Sequence, residues 1–300
     1  MNTPAKVMVL MSTYNGQYFL QEQLNSIYNQ EGVNYSLLVR DDGSKDKTTA
    51  LLDQEQAKGR LQWYSGMNLG PAKSFWDLVI NAQDSDYYAF SDQDDVWLKD
   101  KLKSAINKMC NTSEPALYFC QTQLVNEKLE KLKNVKLAPY LTYGEALVNQ
   151  FISGCTMVFN KALRNELLLY TPQYLRMHDL WIYDVALAIG AKVYFDPTPH
   201  ILYRQHSHNT VGQVNSLKFN LKSRFTHIKA NEHIRLRTAQ ELWKGYADHM
   251  VPKNKELTWK IINYKTNFKI KWELIFSKHL KCANPTIAIT SRIALLLNRF

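Results

Sequence analysis

The chain has 300 residues, 45% of them apolar, enough to bury one large core and leave room for an appendage. No run approaches the ~20 apolar residues of a membrane span, and residues 7–11 lack the charged lead, length and cleavage pattern of a secretion signal, so a cytoplasmic protein is expected. The net charge of +10 is unevenly placed: from Gln213 onward 17 Lys and Arg stand against 5 Asp and Glu, whereas the first 212 residues carry 20 against 22. Cys110, Cys120, Cys155 and Cys282 are scattered without a C-x-x-C pair, which speaks for buried thiols rather than a zinc site or a disulfide framework.

Strand and helix signals alternate through the first half, as in an α/β domain with a mostly parallel sheet. Residues 7–11 form a strand-length apolar run that breaks at Ser12-Thr13-Tyr14-Asn15-Gly16, and a helix follows with Leu20, Leu24, Ile27 and Tyr28 on one face. A second strand, 36–39, ends at Arg40-Asp41-Asp42-Gly43-Ser44 and leads to a helix through Leu51 and Leu52. A third, 61–64, precedes Gly66-Met67-Asn68-Leu69-Gly70 and a helix opened by Pro71, with Ala72, Phe75, Trp76 and Val79 on its face. A fourth, 87–90, runs into Ser91-Asp92-Gln93-Asp94-Asp95, followed by a helix presenting Leu102, Ile106 and Met109.

After a strand at 116–120, the polar stretch 121–139 suggests a surface excursion. Residues 153–159 suggest a turn and a strand, His178-Asp179 opens a helix, and strands are expected at 192–195 and 200–203. Tyr203-Arg204-Gln205-His206-Ser207-His208-Asn209 is expected as a polar loop, and from about Leu217 the texture is helical and basic. Near the end, two apolar stripes, Phe268, Trp272, Ile275, Phe276, Leu280 and then Ile289, Ile293, Leu296, Leu297, Phe300, are interleaved with lysines. Such helices suit a membrane surface; packing on the main domain or a homodimer contact is the alternative.

Ligands of open α/β sheets sit beyond the carboxyl ends of the strands, where the polar segments converge. Asp92, Asp94 and Asp95 suit a divalent cation, Mg2+ or Mn2+, bound jointly with substrate phosphates, since bare carboxylates and a diphosphate repel. Alone, an Asp-x-Asp is equally a helix cap with solvated acids; three such segments in register favour a site. The first strand lacks a following G-x-G-x-x-G, which disfavours a dinucleotide-dependent oxidoreductase. The basic tail has no zinc, RRM or KH signature, and the acidic loops would repel a nucleic acid backbone.

The three segments Ser12 to Gly16, Arg40 to Asp46 and Ser91 to Trp97 resemble, in order and spacing, those of family 2 inverting glycosyltransferases with the GT-A (Rossmann-like) fold. The resemblance implies a metal-dependent transfer from a nucleotide diphosphate sugar. Thr13, Tyr14 and Asn15 would lie against the nucleotide, Asp41 would hydrogen-bond the base with Asp42 beside it, and Asp92 would face ribose and metal. Asp94 would ligate the metal and Asp95 support the loop. His178-Asp179 stands where the family commonly has Glu-Asp, leaving Asp179 as general base for the acceptor hydroxyl or as a helix cap. Tyr203-Arg204-Gln205-His206 resembles a segment of bacterial rhamnosyltransferases of this family. It would place His206 on the metal or the diphosphate and Arg204 on phosphate oxygens, unless these are solvated loop residues.

Asn68 would line the donor pocket and Ser153 to Thr156 the acceptor side, unless Gly70 and Gly154 serve only turns. Residues 1–110 would then form a nucleotide-sugar half, 111–212 an acceptor half, and 213–300 a helical basic appendage. The donor implied is dTDP-L-rhamnose, with a UDP-hexose as alternative, and the acceptor a cell-surface glycan or a polyprenyl-linked oligosaccharide. A nucleotide-binding scaffold protein without turnover is the reading of another class.

Overall fold

The computed structural model describes residues 5–134, 136–149, 151–206, 226 and 233–300. Residues 7–11 are apolar without alternation because their strand, β1 (Lys6–Thr13), is covered on both faces. It pairs in parallel with β2 (Asn34–Asp41) and β4 (Tyr87–Ser91), with Thr13 opposite Asp41 and Met11 opposite Ser91. That register brings the polar ends of three strands to one edge. β3 (Gln62–Ser65) extends the parallel set beyond β2.

On the other flank β8 (Val158–Asn160) runs antiparallel between β4 and β6 (Ala116–Cys120), and β9 (Lys192–Asp196) lies parallel to β6. The order is β3-β2-β1-β4-β8-β6-β9, the expected mostly parallel α/β sheet. The helices expected after the first four strands and at His178 are present as α1 (Leu20–Tyr28), α2 (Thr48–Ala57), α3 (Pro71–Asn81), α4 (Lys101–Met109) and α7 (His178–Ala188); the short helices α5 (Tyr143–Val148) and α6 (Lys161–Leu167) stand between them. Gly70 enters α3 at φ 74°, a left-handed geometry that favours glycine, and Pro71 starts its first turn.

Three expectations need correction. The stretch 121–139 is not all surface: Gln121, Thr122, Leu124 and Val125 are buried, and β7 (Gln123–Val125) joins a second sheet with β10 (Ile201–Arg204) and β5 (Val96–Trp97). The strand expected at 200–203 is β10, and it runs on through Arg204, which is a buried strand residue rather than a loop residue. A polar side chain in so short a segment gave no period to follow. The tail stripes also split: Ile275, Leu280 and Phe300 are buried, whereas Phe268, Trp272, Phe276, Ile289, Leu296 and Leu297 are exposed. His208 and the rest of 207–212 lie outside the described residues, as do the expected boundary at 212/213 and the onset of helical texture near Leu217.

The helices Ile234–Tyr246, Pro252–Asn263, Phe268–Ile275 and Pro285–Leu296 share one apolar cluster with α3, α5 and α7. Polar bonds fix the same contact: Tyr143 Oη and Thr258 Oγ1 are 2.7 Å apart, Asn254 Nδ2 donates to Leu187 O at 2.8 Å, and Tyr246 Oη donates to Leu167 O at 3.2 Å. Glu145 is buried and accepts from Tyr140 N on one side and Ala283 N on the other. Next to it, a Cβ at Gly144 would overlap the His279 carbonyl group. Gly144→Ala is therefore expected to cost about 2 kcal/mol through overpacking, read as a melting temperature lowered by a few degrees.

Candidate active site

The first two loops are zipped to one another by backbone-to-side-chain bonds. Asn15, at φ 50°, donates its N–H to Ser44 Oγ at 2.8 Å and accepts from Lys45 N at 2.8 Å; Gly16 N donates to Thr48 Oγ1 at 2.8 Å and Gln17 N to Asp46 Oδ2 at 3.1 Å. Asp41 is wholly buried and accepts from Thr13 Oγ1, Gly43 N, Ser44 N and Ser44 Oγ. Its carboxylate and Thr13 thus shape the loop from beneath, whereas Tyr14, Asn15, Asp42, Asp46 and Asn68 line the cleft.

Asp42 accepts from Leu69 N at 2.9 Å and Gly70 N at 2.8 Å, fastening the Asn68 loop to the second strand end. Arg40, 3% exposed, pairs with Asp42 and with Asp77 at 3.0 Å and donates to Met67 O at 3.0 Å. Gly66 is required beside it, because a Cβ there would collide with the guanidinium. Gln93 joins the first loop to the third by accepting from Tyr14 N at 2.9 Å and donating to Tyr14 O at 3.0 Å.

In the third loop Asp92 and Asp94 line the cleft and Asp95 is buried. Desolvation, reinforced by the charges of Asp94 and Asp179, pushes the Asp92 carboxyl up to about 7. Asp94 Oδ2 lies 2.8 Å from His206 Nε2, and the His206 ring packs at 5.0 Å on Phe19. This His is therefore held against the acidic loop rather than solvated. Arg204, 1% exposed, donates to Asp94 O at 2.8 Å and to Glu127 O, pairs with Glu22, and stacks over Phe19 at 4.6 Å. Its guanidinium supports the acidic loop from behind and is not among the groups lining the cleft, a placement different from the phosphate contact expected of it.

Asp95 Oδ1 accepts from Arg204 N at 3.1 Å while Oδ2 has no hydrogen-bond partner, and burial raises its pKa well above the usual carboxylate range. Behind the loop Lys101 is wholly buried with Nζ 3.5 Å from the Trp97 ring centre, and desolvation lowers it to about 8. Its sequence signal is a lysine in step with Ala105 and Met109 on the buried stripe of α4. Arg40 and Gln93 sit inside the quoted motifs, where a cation beside two acids and an amide between them give the only hint of their clamping role.

Two donor sets can be compared for a cation. Asp92, Asp95 and Cys155 have ligand atoms within 4.8 Å of one another, but burial holds the Cys155 thiol protonated and a thiolate is a soft ligand. Asp92 and Asp94 with His206 open on the cleft and offer hard carboxylate oxygens, the donor chemistry that Mg2+ or Mn2+ takes together with phosphates.

Asp179 also lines the cleft; it is 7% exposed, accepts from Gly154 N at 2.9 Å and Leu180 N at 2.7 Å, and is raised by burial to about 6. His178 stacks on Phe75 at 4.1 Å and meets Phe90 edge-on at 4.8 Å; neither ring nitrogen has a partner, and desolvation lowers it to about 3. A Cβ at Gly154 would run into the His178 ring, so this glycine does more than turn the chain. The cavity measures about 1280 Å3, above the ~300–1,000 Å3 of a single-ligand pocket. Asp42, Asp46, Asp92, Asp94 and Asp179 line it together with Arg176, Arg235 and Arg299, and the last helix adds Ile287, Thr290, Ser291 and Ala294.

Residues 8–168 match the model of glycosyl transferase family 2. The chain is similar to the dTDP-rhamnosyl transferase RfbG of Shigella flexneri, 32% identical over 235 residues that cover 71% of this chain and 77% of that protein. A second relative is the UDP-Glc:alpha-D-GlcNAc-diphosphoundecaprenol beta-1,3-glucosyltransferase WfgD of Escherichia coli, 26% identical over 160 residues, 53% of this chain and 62% of that one. Among solved structures, S. aureus TarS in complex with UDP-GlcNAc superposes with TM-score 0.58 at 15% identity, covering 98% and 89% of the two chains. The mannosyltransferase PcManGT from Pyrobaculum calidifontis, in complex with GDP-Man and Mn2+, gives 0.55 at 16%, covering 99% and 75%. At these identities the structures speak to the fold alone, which is GT-A. The chain belongs to glycosyl transferase family 2 and is a glycosyltransferase.

His178 also makes a stability prediction. Its folded pKa of about 3 lies below the ordinary 6.5, so the unfolded chain takes up the proton first and stability from this residue falls as pH drops from 6.5 towards 3. At pH 5 the loss is about 2 kcal/mol. Asp92, Asp95 and Asp179, raised in the fold, act in the opposite direction over the acid range, so the comparison must be between variants. His178→Phe should show a smaller drop in melting temperature between pH 7 and pH 5 than the wild-type chain.

Proposed function

We propose that the chain is an inverting, metal-dependent glycosyltransferase that moves L-rhamnose from dTDP-L-rhamnose onto a growing cell-surface polysaccharide or polyprenyl-linked oligosaccharide. The transfer chemistry is supported by one cleft that is lined by Asp92, Asp94, His206 and the desolvated carboxylate Asp179. The rhamnosyl donor is supported by the similarity to RfbG; the second reading, a UDP-hexose donor, is supported by the weaker similarity to WfgD.

In this reading Tyr14, Asn15, Asp42 and Asn68 seat the nucleotide, and Thr13 and Asp41 hold their loop in shape. Asp94, Asp92 and His206 would hold Mg2+ or Mn2+, which when bound offsets the charge that develops on the departing diphosphate. Arg204 is a positioning residue that fixes the backbone of the Asp94 loop. Asp179 accepts the proton of the acceptor hydroxyl as that oxygen forms its bond to the anomeric carbon. The bond to the diphosphate breaks on the opposite face, so the configuration inverts. Residues 1–110 serve the donor, residues 111–212 the acceptor, and the basic region beyond them adds the last helix to the acceptor wall. No helix among the described residues is long and apolar enough to cross a membrane; the proposed workplace is the inner face of the cytoplasmic membrane, reached by peripheral contact.

Asp179→Asn should lower kcat by ~100-fold or more with nucleotide affinity by calorimetry nearly unchanged; near-normal turnover would remove it as the base. Because its carboxyl titrates near 6 and the deprotonated form is the base, kcat/KM should fall as pH drops below 6, to roughly a tenth of its plateau at pH 5. Asp94→Ala and EDTA treatment should each abolish measurable transfer, and full activity in EDTA would rule out the metal. A panel of dTDP-rhamnose, UDP-glucose, UDP-galactose and UDP-GlcNAc, with the product read by NMR, tests donor and anomeric outcome together.

A further inference from the structure

The helix Phe268–Ile275 buries Ile270, Leu274 and Ile275 and turns a different set outward. Phe268 and Phe276 are 74% and 72% exposed, and Trp272 between them is 39% exposed. At i, i+4 and i+8 they form a continuous ladder, Phe268 meeting Trp272 edge-on at 5.6 Å and Trp272 stacking on Phe276 at 5.7 Å. The neighbouring helix Pro285–Leu296 is tied alongside, since Lys271 Nζ donates to Leu296 O at 2.7 Å, and it leaves Ile289, Leu296 and Leu297 exposed. Contiguous exposed apolar surface of this kind marks an interaction site.

Charge selects the partner. From Lys265 to Phe300 the sequence carries Lys265, Lys269, Lys271, Lys278, Lys281, Arg292 and Arg299 against the single acid Glu273, which is paired with Lys260 at 3.0 Å. A two-fold dimer through this face would set the same lysines against one another, whereas an anionic lipid surface attracts them as the rings enter the headgroup region.

We infer that this face, Phe268, Trp272, Phe276, Leu296 and Leu297 with their flanking lysines, docks on an anionic bilayer and holds the mouth of the cleft at the lipid surface. The last helix links the two sites. Ile287, Thr290, Ser291 and Ala294 line the cleft from one face of it, while Ile289, Leu296 and Leu297 are exposed on another, with the Leu296 carbonyl bonded to Lys271. An acceptor anchored in the membrane therefore reaches Asp179 without leaving it. This rests on the transfer reading above, but the binding is measured without substrate, so the two fail separately.

The test is sedimentation of the full chain with vesicles of phosphatidylcholine alone or with 30% phosphatidylglycerol, at ~0.1 M and ~0.5 M salt. Binding to the anionic vesicles at least tenfold tighter than to the neutral ones, and weakened by salt, is expected. Phe268→Ser with Phe276→Ser should weaken it at least tenfold while kcat/KM on a water-soluble acceptor glycan stays within twofold. Lys269→Gln with Lys278→Gln should reduce the preference for anionic lipid. Failure of the wild-type chain to sediment, or variants that bind as it does, would overturn the inference. So would a dimer in light scattering that the double serine variant abolishes, because the face would then join two copies.

Discussion

Carboxylates that repel one another are held together at one end of the cleft, and the rest of the site depends on how the fold tolerates this. Asp92, Asp94 and Asp95 take three of four consecutive positions, with Asp179 close enough to raise Asp92. The compensating cations stand behind the loop: Lys101 in an apolar pocket against Trp97, and Arg204 bonded to the Asp94 backbone and to Glu22. Removing one buried partner of such an arrangement leaves an uncompensated charge. With these cations behind it, the loop presents Asp92 and Asp94 to the cleft.

The same economy governs the other strand ends. Asp41 and Asp42 stand side by side but divide their work: the first turns inward to close its own loop, and the second reaches across to the Asn68 loop under the control of Arg40. Gln93 then connects the outer loops, so that three separate segments behave as one surface. A rigid frame of this type is what positions a substrate for in-line attack.

Most of residues 1–110 was legible because the signals there are local. Apolar runs of strand length ending in Gly, Asn and Asp give both the parallel sheet and the edge where the polar loops gather, and the register of β1 with β2 and β4 agrees with them. Long-range partners were not legible. Nothing in residues 123–125 announces that they pair with β10, and Arg204 reads as a loop cation until the strand buries it beside Glu22. The tail stripes were visible as amphipathic periodicity, but period alone cannot tell which edge of a broad apolar face is covered, and the exposed ladder at Phe268, Trp272 and Phe276 emerged only from packing. His178 is similar: its place before Asp179 is evident in sequence, its neutral state against Phe75 and Phe90 is not.

The central claim is that the cleft face of the Asp92–Asp94 segment takes a divalent cation together with the donor diphosphate. Anomalous diffraction from crystals grown with dTDP and Mn2+ tests it most directly. The account predicts a single peak on the cleft side of Asp94, about 2.1 Å from carboxylate and phosphate oxygens, with Asp92 and His206 in reach. A peak buried among Asp92, Asp95 and Cys155, or a nucleotide bound with no metal beside Asp94, would contradict it.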